Sequence, residues 1–484
     1  MLFSKLSFFA VLVAAVTAAP APAPSGAAKD NSTAPAAPNK CGPDAGGPVN
    51  GTWSADTALT TDKCKTAYGG RPLVQYAAIL DAGSTGTRVH IYKFNNCKKN
   101  PEVEVEIYKK VKPGLSSFTS KPQDAANSVK PLLSWTMEMI PKELHAKTPI
   151  ALKATAGLRM LDKAVSQKIL DAVHTEIKSS TDFLLPKDPV VVMGGDMEGV
   201  YAWWSLNVLL GDIDDTNSKT VGTIEMGGAS TQFAFLPATK VDMPADLQDT
   251  VTVDGKNRTL YTHSYLGFGE IEARTKVFNS IVSDAAAKGQ TKVSNPCFNS
   301  TFSSNTPPEN TSNNKPTPGK VTVTGTNSTS TNNFDQCYQV VKAALNLNKT
   351  CEKAPCAFDG ISQPDLKTAF PDDRGIYLLS SFYDNIEVFS LGESVTINDL
   401  KAAGSKLCQH DRSLIANLPK TSGYQWLVDG DYGCVDMVFS VALLQEGFKI
   451  SPTRKLYTAD SVNGFNTGWT LSAAIDIIEN QINV

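Results

Sequence analysis

The sequence predicts an α/β fold, and three observations support this prediction. Short apolar runs of strand length alternate with longer runs of helical spacing. Apolar residues make up 41% and charged residues 19% of the 484 residues, which is typical of a globular protein and excludes a largely disordered or collagen-like chain. One strand–loop–strand pattern occurs twice, beginning at Ala78 and at Thr223. At about 150 residues per domain, the length corresponds to roughly three domains or two large ones.

The first 18 residues have the pattern of a secretory signal peptide. Lys5 precedes an apolar run of about a dozen residues, and small residues lead up to Ala18. The run is short for a hydrocarbon core of about 30 Å, but Pro20 crowds the cleavage site, so a retained signal anchor is the alternative. Either form delivers the chain to the secretory lumen, and we expect a Golgi or secreted protein.

The charge balance limits the class of partner. Lys and Arg total 45 against 48 Asp and Glu, which gives a net charge of −3, and no long basic block occurs. This pattern disfavours a nucleic-acid partner and a polybasic membrane surface. We expect contact with a membrane only through an uncleaved N-terminal anchor.

Nine cysteines in a luminal chain indicate disulfides with one cysteine left over. Their order suggests, without proving, the pairs Cys64–Cys97, Cys297–Cys337, Cys351–Cys356 and Cys408–Cys434. We also expect N-glycans, because seven asparagines begin an Asn-x-Ser/Thr triplet. These are Asn31, Asn50, Asn257, Asn299, Asn310, Asn327 and Asn348.

The first half of the chain begins with a linker at 19–72, rich in Pro, Ala, Gly and Ser, and ordered structure is expected from about Leu73. The predicted elements that follow are strands at 74–80 and 88–94, a helix at 125–139, a strand from 150, a helix at 161–177 and a strand at 189–193.

The second half carries the repeated pattern and most of the cysteines. Residues 299–334 are nearly all Ser, Thr, Asn, Pro and Gly, and we interpret them as a surface insertion that buries no face. The other predicted elements are a helix from about Val200, a strand–turn–strand at 221–235, a helix at 437–448 and an amphipathic helix at 468–482.

The two copies of the repeated pattern read AIL-DAGSTGT-RVHIY and TI-EMGGAST-QFAF. Glycines allow a tight turn whose N–H groups converge, and hydroxyl side chains add donors, as a phosphate requires. These hydroxyls belong to Ser84, Thr85, Ser230 and Thr231. A single loop of this kind is more often an ordinary hairpin, but two of them could enclose one oligophosphate.

A carboxylate heads each loop, Asp81 in the first and Glu225 in the second, where it could hold a divalent cation directly or through water. The chain has no GxxxxGK[ST], GxGxxG, GxSxG or HExxH sequence. The P-loop mechanism and the dinucleotide-binding fold are therefore excluded, and serine or zinc hydrolysis has no support. Phosphate chemistry with a metal ion and a carboxylate base remains.

Five segments resemble, in order, the conserved regions of the apyrases, or nucleoside triphosphate diphosphohydrolases. They are DAGSTGTR (81–88), KATAGLR (153–159), GGDMEGVYAW (194–203), GGASTQ (227–232) and GWTLSAA (468–474). Further matches in KPGLSSF (112–118), SYLGFG (264–269) and APCAFDG (354–360) are similar to the Golgi guanosine diphosphatase branch. The resemblance extends from about Leu73 to the end of the chain.

This resemblance implies a two-lobed, actin-like (ribonuclease H-like) α/β fold with the active site in the cleft between the lobes. The N-terminal lobe would comprise 73–193 plus 467–484, and the C-terminal lobe 194–466, with the insertion at 299–334. The implied reaction is hydrolysis of the terminal phosphate of GDP and UDP with Ca²⁺ or Mg²⁺, and Mn²⁺ as a further option. In the secretory pathway it would clear the diphosphates that glycosyltransferases leave.

The resemblance also assigns roles to residues. Glu198 would be the general base, and Thr155, Ser230 and Gln232 would position the attacking water. Asp81 and Glu225 would hold the metal through its waters. Phosphate would bind to Gly83, Ser84, Thr85, Gly86 and Thr87 and to Gly227, Gly228, Ala229 and Ser230. Phe382 or Tyr383 would stack on the base, with Trp469 at the border of the cleft. Arg88 and Arg159 are as well explained by structural ion pairs.

Two departures from the family pattern stand out. Glu225 replaces the usual Asp, and Met197 stands before Glu198 where a second acidic residue is common, with Asp196 one place earlier. Three alternatives stay open. They are a secreted apyrase that also hydrolyses triphosphates, a sugar kinase or exopolyphosphatase of the same fold superfamily, and a noncatalytic nucleotide-binding glycoprotein.

Overall fold

The structure is a computed structural model, and it describes residues 57–213, 220–253, 255–307, 319–326, 333–409 and 432–481. The predicted signal segment at 1–18 and most of the predicted linker lie outside these ranges. Two mixed β-sheets with helices packed on them form the framework, which confirms the predicted α/β class.

The first sheet contains five strands. They are β1 (Val74–Ala82), β2 (Thr87–Asn95), β3 (Glu102–Val111), β4 (Ile150–Ala154) and β5 (Val190–Val192). Their order is β3-β2-β1-β4-β5, with β1 antiparallel to β2, β2 antiparallel to β3, and β4 and β5 parallel to β1. The helices of this region are α1 (Pro122–Met139), α2 (Ala156–Arg159), α3 (Lys163–Ser180) and α4 (Gly195–Leu210).

Strand β1 is apolar on both faces because both faces are covered. Ala78 and Leu80 join a core with residues of α1 and α3, whereas Ala77 and Ile79 join a second core with residues of α4 and of the last helix. Side chains alternate between the two faces of a strand, so a continuous apolar run such as VQYAAIL is what a central strand with two covered faces requires. This burial fixes the position of Asp81 at the end of β1.

The second sheet contains seven strands. They are β6 (Gly222–Met226), β7 (Ser230–Phe235), β8 (Gln248–Val253), β9 (Lys256–Leu266), β13 (Ile376–Ser380), β14 (Ser394–Val395) and β15 (Leu456–Thr458). Their order is β14-β15-β13-β6-β7-β9-β8. Strand β13 is parallel to β6, β15 is parallel to β13, and β7 is antiparallel to both β6 and β9.

The inner strands of the second sheet, β9-β7-β6-β13-β15, repeat the order and directions of β3-β2-β1-β4-β5. The two copies of the repeated sequence pattern are therefore equivalent hairpins, β1–β2 and β6–β7, in two related sheets. Equivalent strands end at equivalent places, which puts Asp81 and Glu225 in corresponding positions.

The remaining helices pack mainly around the second sheet. They are α5 (Glu270–Ala287), α6 (Asn333–Ala344), α7 (Leu366–Ala369), α8 (Ser381–Glu387), α9 (Ile397–Leu407), α10 (Gly433–Ala442) and α11 (Thr470–Asp476). The exception is α11, which contacts β1 and β2, while α4 packs on β7 and β9. The proposed division of the chain into two lobes stays a prediction.

Three sequence predictions need correction. Residues 57–72 are not a free linker, because Ala58 accepts a hydrogen bond from Tyr76 Oη at 2.8 Å and Thr60 accepts one from Lys93 Nζ at 2.7 Å. Helix α4 begins at Gly195, not at Val200. The final helix is buried all round from Thr470 to Ile475, so the predicted amphipathic pattern is absent there. The pattern appears only at the end of the helix, where Ile477 and Ile478 are buried and Asn480 is exposed.

The predicted insertion at 299–334 does bury a face in its described parts. A small sheet of order β10-β12-β11 forms from β10 (Lys292–Asn295), β11 (Ser303–Ser304) and β12 (Thr322–Gly325). Phe302, Val323 and Phe334 join the core of the second sheet. A few large apolar side chains therefore anchor a segment whose average composition predicts no core.

All four predicted cysteine pairs are disulfides in the structure: Cys64–Cys97, Cys297–Cys337, Cys351–Cys356 and Cys408–Cys434. The remaining cysteine, Cys41, lies outside the described residues. Among the helices that the structure describes, none combines the length and the apolar character needed to cross a bilayer.

Candidate active site

Each of the equivalent hairpins turns through a glycine-rich loop, and the two loops lie against each other. Loop 1 (83–86) joins β1 to β2, and loop 2 (227–229) joins β6 to β7. A Cβ atom built on Gly228 would come within 2.7 Å of Ser84 Oγ and 3.5 Å of Thr85 Cγ2. The structure thus brings the two predicted phosphate-binding segments together. Thr87 and Ser230 follow the loops as the first residues of β2 and β7, and both are buried.

Each loop rests on a glycine from a distant segment. A Cβ on Gly114 would lie 2.5 Å from the carbonyl oxygen of Gly83, and a Cβ on Gly269 would lie 2.5 Å from that of Gly227. Such distances leave no room for a side chain against fixed backbone. Sequence reasoning assigned no role to Gly114 or Gly269, although both stand in segments that match the family, KPGLSSF and SYLGFG.

The two carboxylates that head the loops have buried oxygens without protein partners. Glu225 is 8% exposed, and its Oε1 accepts a hydrogen bond from Ser380 Oγ at 3.0 Å. Within the described ranges, Glu225 Oε2 and Asp81 Oδ1 have no hydrogen-bond partner. An unpaired buried carboxylate oxygen is costly, so both side chains fit the role of cation ligands.

Electrostatics favours the same assignment. Burial, reinforced by the nearby Glu198 and Asp81 carboxylates, raises the pKa of Glu225 to about 8. Burial likewise raises the pKa of Asp81, while Arg88 partly opposes the shift. Several carboxylates that cannot all ionise in a shared low-dielectric site are stabilised by a divalent cation. Among the described residues, no three His, Cys, Asp or Glu side chains are placed to form a direct metal centre.

Glu198 lies in the first turn of α4 and is 7% exposed. Its Oε2 pairs with Arg159 Nη2 and lies 3.3 Å from Gln232 Nε2. Burial raises the pKa of Glu198 to about 7, with Arg159 opposing and Asp81 adding to the shift. A carboxylate that titrates near neutral pH is suited to accept a proton from water.

Gln232 connects Glu198 to loop 2. Its Nε2 lies 2.6 Å from Ser230 Oγ and 2.8 Å from Ser264 Oγ, and Arg159 Nη1 donates to the same Ser264 oxygen at 3.2 Å. Three of the four predicted catalytic residues, Glu198, Gln232 and Ser230, are therefore joined in one hydrogen-bonded chain.

The fourth, Thr155, precedes α2, and its backbone N–H donates to the Ala82 carbonyl at 3.2 Å. It is 6% exposed and lies next to loop 1, on the segment that also carries Arg159. Ser264 begins the family-like segment SYLGFG, but its contact with the site was not predicted, because it reaches the site from β9 through the sheet rather than through the chain.

Asp196 stands two places before Glu198, whereas the acidic residue of the family pattern stands directly before the base. Its Oδ1 accepts a hydrogen bond from the Ser264 backbone N–H at 2.9 Å, and Thr262 Oγ1 donates to its carbonyl at 3.1 Å. Asp196 therefore attaches the start of α4 to β9, while Met197 packs against an apolar core. The acidic residue two places before Glu198 holds the base in place through the backbone.

Two of the three residues that the resemblance assigned to the nucleoside site are buried. Phe382 is completely buried in the core of the second sheet, and Trp469, 3% exposed, is buried in the core shared by α4 and α11. Both aromatic side chains serve packing, because apolar neighbours surround them. Tyr383 is partly exposed and remains the candidate.

This chain is similar to several known proteins. The profile of the GDA1/CD39 (nucleoside phosphatase) family matches residues 72–483. The chain is 33% identical to a guanosine-diphosphatase of Schizosaccharomyces pombe, over 88% of this chain and 78% of that protein. It is 32% identical to ectonucleoside triphosphate diphosphohydrolase 5 of Gallus gallus, over 88% of this chain and 90% of that protein.

A solved structure of nucleoside triphosphate hydrolases from Neospora caninum superposes with a TM-score of 0.60 at 16% identity, covering 83% of this chain and 92% of that one. At this identity the likeness shows the fold. It confirms the α/β, actin-like fold class that the sequence resemblance implied.

Proposed function

This chain belongs to the GDA1/CD39 (nucleoside phosphatase) family, and on that premise we propose that it hydrolyses the terminal phosphate of nucleoside diphosphates, GDP and UDP, to give monophosphates. The observation that carries the proposal is the hydrogen-bonded chain Glu198–Gln232–Ser230, which ends at loop 2 where loop 1 meets it. A buried carboxylate and a glycine-rich turn thereby lie close together, which supports the proposal.

The residues divide the chemistry between them. Backbone N–H and hydroxyl groups of loops 1 and 2 would bind the phosphate oxygens. Ser230, Gln232 and Thr155 would orient a water molecule, and Glu198 would take its proton as the water oxygen bonds to phosphorus. The bond from phosphorus to the bridging oxygen breaks, and the nucleoside monophosphate leaves with the electron pair.

We assign the divalent cation to Asp81 and Glu225, whose unpaired buried oxygens fit it. When bound, such an ion neutralises negative charge on the diphosphate. Oxygen ligands suit Ca²⁺ and Mg²⁺, and Mn²⁺ is a further option. Both carboxylates would hold the ion through its waters.

The cellular setting follows from the N-terminal segment and the disulfides. A signal segment and four disulfides suit an oxidising compartment, so we propose the Golgi lumen or the cell exterior. There the enzyme would remove the nucleoside diphosphates released by glycosyltransferases. Asn257 and Asn348 are exposed and could carry N-glycans.

A second candidate is hydrolysis of triphosphates as well. It is favoured by the similarity to ectonucleoside triphosphate diphosphohydrolase 5 of Gallus gallus. The same loops and base would serve both reactions, because the attacked group is a terminal phosphate in each.

The test is phosphate release from a panel of GDP, UDP, ADP, CDP, GTP and UTP, with and without EDTA, with Glu198→Gln as the matched inactive control. We expect release from GDP and UDP that EDTA abolishes. Equal or faster release from GTP and UTP would favour the second candidate. Nucleotide binding with no release from any substrate would contradict both and favour a noncatalytic glycoprotein.

A further inference from the structure

Ser380 has a backbone conformation that a serine rarely adopts. It is the last residue of β13, where Leu379 is the register partner of Glu225 and Ser380 that of Met226. Its backbone has φ 60° and ψ −124°, a region in which a Cβ atom is strained and glycine is comfortable. Strain of this kind persists where the surrounding structure or the function demands it.

The hydroxyl of Ser380 does not serve the helix that it precedes. Ser380 occupies the N-cap position of α8, where a serine side chain usually accepts a hydrogen bond from the first turn, yet it makes no such bond. The hydroxyl instead donates to Glu225 Oε1 at 3.0 Å. The strained backbone and the hydrogen bond to Glu225 therefore occur at the same residue.

Loops 1 and 2 differ in the carboxylate that precedes them. Loop 1 is headed by Asp81, whereas loop 2 is headed by Glu225, whose side chain has one more rotatable bond and more conformational freedom to lose. A hydrogen bond to Oε1 removes that freedom and leaves Oε2 as the oxygen without a protein partner in the described part of the chain.

We propose that Ser380 is a positioning residue that fixes the Glu225 carboxylate so that its second oxygen is presented to the divalent cation. This inference rests on the proposed function, because it requires that Glu225 holds a cation. The backbone strain is then the means by which the hydroxyl reaches the carboxylate.

The experiment compares Ser380→Gly and Ser380→Ala with the wild-type chain. Two quantities are measured: the melting temperature of the metal-free protein, and Mn²⁺ affinity from electron paramagnetic resonance of the free ion with inorganic phosphate present. Ser390 supplies the control, because it also has a positive φ of 49°, is exposed and lies beyond the end of α8.

We expect Ser380→Gly to melt higher than Ser380→Ala, because glycine relieves the strain and is also preferred to alanine at an N-cap. We expect both variants to bind Mn²⁺ roughly tenfold more weakly than wild type, since each loses a hydrogen bond to a charged group. Ser390→Gly should also melt higher than Ser390→Ala, and both should keep wild-type Mn²⁺ affinity.

Wild-type Mn²⁺ affinity in Ser380→Gly would overturn the positioning role while leaving the proposed function intact. A higher melting temperature for Ser380→Ala than for Ser380→Gly would overturn the strain on which the argument depends. Absence of Mn²⁺ binding by the wild-type protein would remove the metal role of Glu225, and the inference about Ser380 would fall with it.

Discussion

Arg159 and Glu198 form an ion pair between the end of α2 and the first turn of α4, with side chains that are 12% and 10% exposed. The pair joins α2, which follows β4 of the first sheet, to α4, which packs on β7 and β9 of the second sheet. Removing either partner would leave a buried charge without compensation, which is strongly destabilising. The pair also opposes the effect of burial on the base, because the guanidinium stabilises the charged carboxylate.

The first prediction concerns the pH dependence of hydrolysis. The raised pKa of Glu198, about 7, means that the base is largely protonated below that pH and charged above it. Because only the charged carboxylate can accept a proton, kcat/KM should fall as the pH decreases through about 7. A pH profile of kcat/KM for GDP at saturating metal measures this.

Arg159→Met provides the matching variant. It removes the positive charge that lowers the pKa of Glu198, so the acidic limb should move to higher pH. Arg159→Lys keeps a charge and should shift the limb less. An acidic limb that stays in place in Arg159→Met would show that Glu198 is not the group that titrates.

The second prediction separates the base from the binding site. Glu198→Gln keeps the size of the side chain and removes the base, so turnover should fall by about 10² to 10⁴. Nucleotide affinity should change little, because loops 1 and 2 and the carboxylates of Asp81 and Glu225 are untouched. The melting temperature should fall, because Arg159 loses its charged partner. Single-turnover kinetics with calorimetric binding of GDP would measure the turnover and the affinity.

Near-normal turnover in Glu198→Gln would contradict the proposed mechanism. The alternative role for Glu198, a favourable charge at the N-terminus of α4, is worth about 0.3 to 1 kcal/mol and predicts a slightly less stable but active enzyme. Because α4 begins at Gly195, Glu198 does lie in the first turn, so this alternative is physically sound and needs the measurement.

The parts of the site that are local in sequence were predictable. Asp81 and Glu225, with the glycines and hydroxyls after them, could be identified because a carboxylate, a turn and two strands are adjacent in the chain. Ser264 and Ser380 could not, because they reach the site from β9 and β13, and even the family-like segment SYLGFG that begins at Ser264 did not indicate a role for its serine.

Which side chains are buried could not be predicted reliably from the sequence. In the sequence, an aromatic residue such as Phe382 is equally consistent with a base-stacking side chain and with a core side chain. The structure shows that Phe382 is completely buried in the core. Val323 lies in the polar segment 299–334, which was predicted to bury no face, yet its side chain is completely buried. A polar segment can therefore still place single apolar residues in a core. The local sequence around a residue does not show which residues of other segments will pack against it.

The third prediction uses two adjacent glycines at the start of α4. A side chain on Gly195 would overlap Arg159 and Ser264, whereas one on Gly194 would enter open space. Gly195→Ala should displace the Arg159–Glu198 pair and lower kcat by roughly 10- to 100-fold, since small misplacements at a catalytic group are costly.

Gly194→Ala is the control for this prediction. Gly194 is the N-cap of α4, where alanine is poorly suited, so a stability loss of up to about 1 kcal/mol is expected with normal turnover. Steady-state kinetics and thermal melting of both variants provide the comparison. Equal turnover in the two variants would show that the base tolerates displacement.

The last prediction concerns the metal and position 225. Excess EDTA should abolish phosphate release, and Ca²⁺, Mg²⁺ or Mn²⁺ should restore it, because the described site has too few cationic side chains to neutralise a diphosphate. Glu225→Asp should remain active with a changed metal preference, since the shorter side chain draws the carboxylate away from Ser380 Oγ, now 3.0 Å from Oε1. Glu225→Ala should be as inactive as the chelated wild type.

Two outcomes would contradict this prediction. Full activity in EDTA would remove the metal role of Asp81 and Glu225. An unfolded Glu225→Asp variant would instead mean that position 225 is structural. The pairing of β6 with β13, in which Glu225 lies beside Leu379, would then depend on the longer side chain.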